Sequence, residues 1–288
     1  MFSKIRKSKF LIFLMLLLIL LVTACSKRTV KPNKQLSKTQ VGYISTTPTF
    51  FFHGWGSSVN AESHMVNAAQ EANVTKDVMT AIVDKNGNVK LSGHISKNAQ
   101  NPIIKVGFLD NHNHNYQTDA RFAYNAITAV QGKYPFTKMN LVGHSMGNMD
   151  ILFMLLYYGQ RKKFPQVKRQ VDIAGHFNGI RGMQNTAYSH NYKNGKPHQM
   201  DSDYKKLTKL RQIYPKGVSV MNIYGDLENG THSDDDVTIY SARSLKYLVS
   251  PRASHYEEHM ITGPNAQHSK LHENPKVDDL LIKFLWGK

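Results

Sequence analysis

Lys138-Met139-Asn140-Leu141-Val142-Gly143-His144-Ser145-Met146-Gly147-Asn148 is the stretch that decides the fold. Lys138–Val142 reads as a short apolar strand, and Met149–Tyr158 (MDILFMLLYY) continues beyond it as a helix. The segment between them fits G-x-S-x-G, a sharp turn that forces its serine toward unfavourable backbone angles and exposes the hydroxyl at the carboxyl end of a sheet. Glycines two residues either side let strand and helix approach closely. The helix N-terminus behind Ser145 favours developing negative charge. The five-residue pattern alone is common by chance; the strand before it and the helix after it give it meaning.

An earlier stretch argues independently. Thr49-Phe50-Phe51-Phe52 is a buried strand that runs into His53-Gly54-Trp55-Gly56. The latter resembles the H-G-x-G element of hydrolases, a turn that presents a backbone N–H, here that of Trp55. With the N–H of Met146 this resemblance implies an oxyanion hole, in which each donor is worth roughly 10²–10³ in rate.

Outward from these motifs, short apolar strands alternate with helical stretches, the pattern of a mostly parallel sheet flanked by helices. Further strands are expected at 80–83, 89–91, 103–108, 171–174 and 218–224, and helices at 61–72 (capped by Asn60), 119–134 and 277–285. Lys85-Asn86-Gly87-Asn88 marks a tight hairpin turn. Residues 177–216 are polar, tyrosine-rich and without strand periodicity; forty residues exceed an ordinary connection, so a cap-like insertion over a site is expected. No internal repeat is visible. The chain reads as one α/β domain over 41–288.

Taken together, PTFFFHGWGSS, VDKNGNVKLSG, NPIIKVGFLDN, NLVGHSMGN, NIYGDL, SARSLKYLV and AQHSKLHENPKV resemble the α/β-hydrolase superfamily. More narrowly, they are similar to its lipase-like cell-surface branch in Gram-positive bacteria. The resemblance covers most of residues 45–288. It implies the α/β-hydrolase fold with an eight-stranded-type sheet, and a triad in the order serine, acid, histidine. It also implies action on carboxylic esters through an acyl-enzyme, with no metal or organic cofactor.

The histidine should lie in a loop before the last helix. His268-Ser269-Lys270-Leu271-His272 matches the family's H-S-x-L-H, which puts the base at His268 and leaves His272 to cap or hydrogen-bond the loop; His255 and His259 are weaker candidates. For the acid, the branch pattern S-D-G-x-V, with Ser-Ala seven to eight residues after the aspartate, aligns Ser241-Ala242 and favours Asp234. Asp235 then stands where glycine is expected. Asp226, which closes the 218–224 strand, is the alternative. The crowding of Asp226, Glu228, Asp234, Asp235 and Asp236 admits calcium on paper, but the EF-hand spacing fails at Gly230, and crowded aspartates are usually a solvated loop. No metal site is assigned, and His112-Asn113-His114 reads as a polar loop.

The start of the chain is an address. Residues 1–24 carry Lys4, Arg6, Lys7 and Lys9, then a 13-residue apolar run Phe10–Val22, too short to span a bilayer comfortably. Val22-Thr23-Ala24-Cys25 resembles the lipobox of bacterial lipoproteins, which implies lipidation at Cys25, the chain's only cysteine. Residues 25–40 then form a basic tether that adds attraction to anionic headgroups. A membrane lipoprotein on the extracytoplasmic face is expected. One cysteine excludes an internal disulfide and thiolate zinc sites.

With 288 residues, 41% hydrophobic and 20% charged, the chain has material for a sizeable core. The net charge of +17, or +13 without residues 1–24, keeps it soluble or draws it to anionic surfaces. Arg161-Lys162-Lys163 with Lys168-Arg169 lacks the aromatic interleaving of a nucleic-acid site, and no nucleic acid is expected. The expected partners are a small-molecule or lipid ester and the membrane. The competing readings are a non-catalytic binding lipoprotein on the same fold, and an amidase or acyltransferase with the same triad.

Overall fold

Phe50, Phe51 and Phe52 show how the chain is layered. Every residue of strand β1 (Thr49–Phe52) is buried, and successive side chains of a strand face opposite ways. Phe50 and Phe52 enter one apolar core and Phe51 enters another. The sheet is therefore covered on both faces, as continuous apolar strands require. This computed structural model describes residues 47–288. The signal segment 1–24, the lipidation at Cys25 and the tether 25–40 lie outside the described residues.

The remaining strands are β2 (Val78–Val83), β3 (Val89–Gly93), β4 (Ile103–Phe108), β5 (Lys138–His144), β6 (Gln166–Ile173), β7 (Ser219–Asp226) and β8 (His255–Thr262). They form one eight-stranded sheet in the order β3-β2-β4-β1-β5-β6-β7-β8. Only the β2–β3 pairing is antiparallel. The hairpin loop is wider than a two-residue turn. The Asp84 carboxylate accepts from the backbone N–H groups of Asn86 and Asn88, and Gly87 alone takes a positive φ, +90°.

One core lies under α2 (Tyr116–Lys133) and α3 (Met146–Tyr158); the other lies under α1 (Ser63–Glu71) and the C-terminal α8 (Pro275–Trp286). Helix α3 is buried over its first ten residues, which explains why Met149–Tyr158 is apolar all round. Helix α2 starts earlier than its apolar period implies because Asn115 caps it, accepting from Gln117 and Thr118 N–H. At α1 the expected Asn60 cap is not made. The helix begins at Ser63 behind a turn, and its N-cap Glu62 makes no side-chain cap bond.

Three further segments escape the apolar pattern. Strand β6 begins at Gln166, five residues before its apolar half, because Lys168 and Arg169 occupy its start. Strand β8 is an edge strand of polar, partly exposed residues. Short helices α6 (Ile239–Arg243) and α7 (Leu245–Val249) follow β7. Within 177–216 the chain forms a 3-10 turn (Asn185–Tyr188) and helices α4 (Ser202–Leu207) and α5 (Leu210–Ile213), whose Tyr204, Leu207 and Leu210 join the α2–α3 core.

Candidate active site

Ser145 sits between β5 and α3 with φ +52° and ψ −119°. An L-residue at positive φ costs on the order of 1–3 kcal/mol, so its surroundings must impose it. The Ser145 N–H is tied to the Ile173 carbonyl at 2.9 Å. The Asn148 side-chain amide donates to the Ser145 and Ile173 carbonyls at 3.0 and 2.8 Å. No side chain fits at Gly147, where a Cβ would collide with the carbonyls of Phe52 and His53, and none fits at Gly143, where it would meet the Asn148 amide. Gly147 thus lets α3 start directly against the end of β1, and Gly143 lets it close on β5.

His268 opens a short 3-10 segment that precedes α8, and its imidazole lies between the serine and an acid. Its Nε2 is 2.8 Å from Ser145 Oγ, and its Nδ1 is 2.9 Å from Asp234 Oδ2. The other Asp234 oxygen accepts from the backbone N–H groups of Val237 (2.7 Å) and Asp236 (3.0 Å), and the Asp234 carbonyl accepts the His268 N–H at 2.8 Å. Asp234 is buried with all these bonds made. Asp226 is occupied elsewhere: its carboxylate accepts the Glu228 N–H at 2.9 Å and faces His232 Nδ1 at 3.4 Å. Of the two acids left open by the sequence, Asp234 is the one beside His268.

Asp235 has φ +94°, in the left-handed region that favours glycine, which is why the related pattern carries glycine there. Arg181 holds the strained residue from the insertion. Its guanidinium donates to the Asp235 carbonyl at 3.0 Å, and its own N–H donates to the Asp236 carbonyl at 2.9 Å. Nothing in the sequence pointed to Arg181.

The chain matches, over residues 36–288, the family described as alpha/beta hydrolase of unknown function (DUF915). It belongs to that family. A Listeria innocua protein of known crystal structure is 24% identical, superimposes with a TM-score of 0.76, and the match covers 84% of this chain and 95% of that one. A Lactobacillus plantarum protein given the provisional description of a cell surface hydrolase is 27% identical with a TM-score of 0.70, the match covering 85% and 93% of the two chains. No curated protein matches.

In this α/β-hydrolase the His53-Gly54-Trp55-Gly56 turn is fixed from both sides. His53 Nδ1–H donates to the Gly54 carbonyl at 2.8 Å, and its Nε2 accepts the Phe108 N–H at 3.2 Å. Burial holds the His53 pKa below its ordinary value, against the pull of the Gly54 bond, so the ring is a neutral strut. A Cβ on Gly54 would come within 3.0 Å of Ser145 Cβ, and Gly56 takes φ +66° while donating to the Asn111 carbonyl at 2.7 Å. Glycine is needed at both places. Met146 is the first residue of α3, where an N–H has no intrahelical acceptor. Among the described residues neither its N–H nor that of Trp55 meets a protein acceptor.

Burial alone would lower the pKa of His268. The hydrogen bond and negative charge of Asp234, with the charge of Asp236, outweigh it and raise the imidazole above its ordinary value. Beneath it lies His144, the variable residue of the serine motif. Burial, reinforced by the nearby His268 and His272, holds the His144 pKa far below the ordinary value. His272 does not cap the loop. Its ring packs edge-on against His144 at 4.6 Å, and the Gln267 side chain makes the cap by accepting from Ser269 and Lys270 N–H. His255 and His259 face Glu257 on β8 at 2.9 and 3.2 Å.

Ser145 opens into a cavity of about 450 Å³. Trp55, Met146, Ile180, Met183 and Val237 give it an apolar side, while His176 and Tyr116 line it with polar groups. His176, whose pKa burial and the nearby His268 push down to about 3, is neutral and lies 3.1 Å from the Tyr116 hydroxyl. The sequence reading missed both. Trp55 is 49% exposed and is bracketed by His112 and His114, with ring centroids 4.5 and 5.6 Å away. Ile180, Met183 and Gln184 of the insertion form one wall of the cavity. Among the described residues no three His, Cys, Asp or Glu side chains converge as a metal site.

Proposed function

We propose that this chain is an extracytoplasmic serine hydrolase, tethered to the membrane through Cys25, that cleaves carboxylic esters. One observation carries the reading: His268 lies within hydrogen-bond distance of both Ser145 Oγ and Asp234, at 2.8 and 2.9 Å. Ser145 Oγ attacks the ester carbonyl carbon as its proton passes to His268 Nε2. Asp234 keeps Nδ1 protonated and stabilises the imidazolium. The N–H groups of Trp55 and Met146 receive the oxyanion. His268 then gives the proton to the departing alkoxide, leaving an acyl-enzyme, and the same groups activate water to release the acid. The chemistry needs no metal or organic cofactor. The apolar side of the cavity supports an acyl group there. The tether rests on residues 1–40 of the sequence and on the relative described as a cell surface hydrolase.

The test is hydrolysis of a nitrophenyl ester series, from acetate to palmitate, beside a Ser145→Ala variant, with fluorophosphonate labelling as a second readout. Ester cleavage and labelling that both vanish in the variant support the reading, and the chain-length optimum sizes the acyl pocket. Rates equal to the variant's throughout, without labelling, would overturn it.

A further inference from the structure

A second cavity, of about 230 Å³, lies where the insertion meets α6 and α7. The insertion reaches it as a small hairpin. Asn191 and Pro197 form an antiparallel bridge, His198 N–H donates to the His190 carbonyl at 3.0 Å, and Tyr192 N–H donates to that of Lys196 at 2.9 Å. Gly195 turns the tip with φ +85°. It lies so close to α7 that a Cβ would come within 2.8 Å of Lys246 Cβ and 3.0 Å of the Tyr247 backbone nitrogen. The hairpin tip is therefore seated on the helix, and the hollow beside it is part of the fold.

Its lining is unbalanced in charge. Lys193, Arg243 and Lys246 face a single carboxylate, Glu258. That carboxylate is already engaged: it accepts the Tyr256 hydroxyl at 2.9 Å and meets Arg243 Nε at 3.4 Å. The terminal nitrogens of Arg243 and both lysine ammonium groups have no carboxylate partner among the described residues. Three cations around one concavity present more positive charge than Glu258 neutralises, a surplus that attracts an anion. Tyr192 and Tyr240 also line the hollow, and the His190 ring lies against Tyr240 at 4.2 Å. An arginine fork matches carboxylate and phosphate alike, and the two flanking ammonium groups favour the more highly charged of them, a phosphate.

We propose that this cavity is an anion site for a phosphate group, monoester or diester, separate from the Ser145 cavity and independent of the ester reading. Free monoesters and the diester of a lipid headgroup share this chemistry, and the test distinguishes them. The full chain, purified in neutral detergent, is titrated with glycerol 3-phosphate, with glycerophosphoglycerol (a deacylated headgroup) and with glycerol, followed by calorimetry and phosphorus NMR. Saturable binding of either phosphate, but not of glycerol, is expected, weakened about tenfold or more in R243Q/K246Q. A charge-matched R161Q/K163Q variant should bind like the wild type, and unchanged thermal midpoints would show both variants folded. Preference for the monoester points to a soluble metabolite, and preference for the diester to a lipid headgroup. Absent binding, binding of glycerol alike, or equal loss in both variants would overturn the proposal.

Discussion

His144 Nε2 lies 3.1 Å from the main-chain oxygen of His268. A carbonyl only accepts, so His144 is the donor and its neutral ring carries the proton on Nε2. The ring is packed between His268 and His272, at 5.0 and 4.6 Å. The residue before the serine thus holds the backbone of the histidine that faces the serine.

His144→Phe keeps the ring and removes the donor. If His268 acts as the base, a small displacement of its imidazole lowers kcat by roughly 10–100-fold with KM little changed. Fluorophosphonate labelling of Ser145 should slow in parallel, and His144→Gln should recover part of the loss. A purely structural role would instead lower the thermal midpoint and leave kcat intact.

The raised pKa of His268 sets the acid limb of the rate profile. His268 must be neutral to take the serine proton, so kcat/KM should fall as pH drops through a value above 6.5. Asp234→Asn removes the negative charge and leaves burial as the largest remaining influence. The limb should move to lower pH while kcat falls by about 10⁴. A limb that stays in place would show that Asp234 does not govern His268.

The layered fold was legible because its signals are apolar and local: the run Phe50–Phe52 and the stretch from Met139 to Tyr158 admit little but a buried strand and a buried helix. Strand β8 was not, because an edge strand such as His255-Tyr256-Glu257-Glu258-His259 needs no apolar alternation. At the site, Ser145 stood out from its motif and His268 from the family's H-S-x-L-H pattern, while the acid stayed open between Asp234 and Asp226 until folding set Asp234 beside His268. His144, His176 and Tyr116 could not, since a histidine or tyrosine reveals its role only through the partner that folding brings to it. Arg181 reaches Asp235 across 54 residues, a contact that no spacing rule contains.

Asp235→Gly tests the strain at φ +94°. Glycine adopts this conformation freely, and Arg181 still finds the main-chain carbonyl. The exposed Arg181–Asp235 ion pair, at 3.4 Å, contributes little. Relief of strain, set against the greater freedom of an unfolded glycine, should stabilise the chain by up to about 1 kcal/mol. The thermal midpoint should rise by roughly 1–4 °C with ester hydrolysis within twofold of wild type. A fall in midpoint would mean that the Asp235 side chain matters more than its backbone.

Asp119 of α2 and Asp150 of α3 are buried beside one another, and each has a carboxylate oxygen without a partner among the described residues. Burial raises both pKa values: that of Asp119 reaches about 7, despite its bond from Asn113, and that of Asp150 is pushed further by the Asp119 charge. An unfolded chain releases these protons near pH 3.9. Between about pH 4 and pH 7 the folded state therefore holds more protons than the unfolded one. Stability falls as pH rises through that window, and the Asp119 contribution levels off above about 7. Asp119→Asn removes the charge that wild type must bury. The two proteins should unfold at similar temperatures at pH 4, and the variant should lead by roughly 2–6 °C at pH 8. Equal midpoints at both pH values would mean that Asp119 is ionised in the folded chain at little cost.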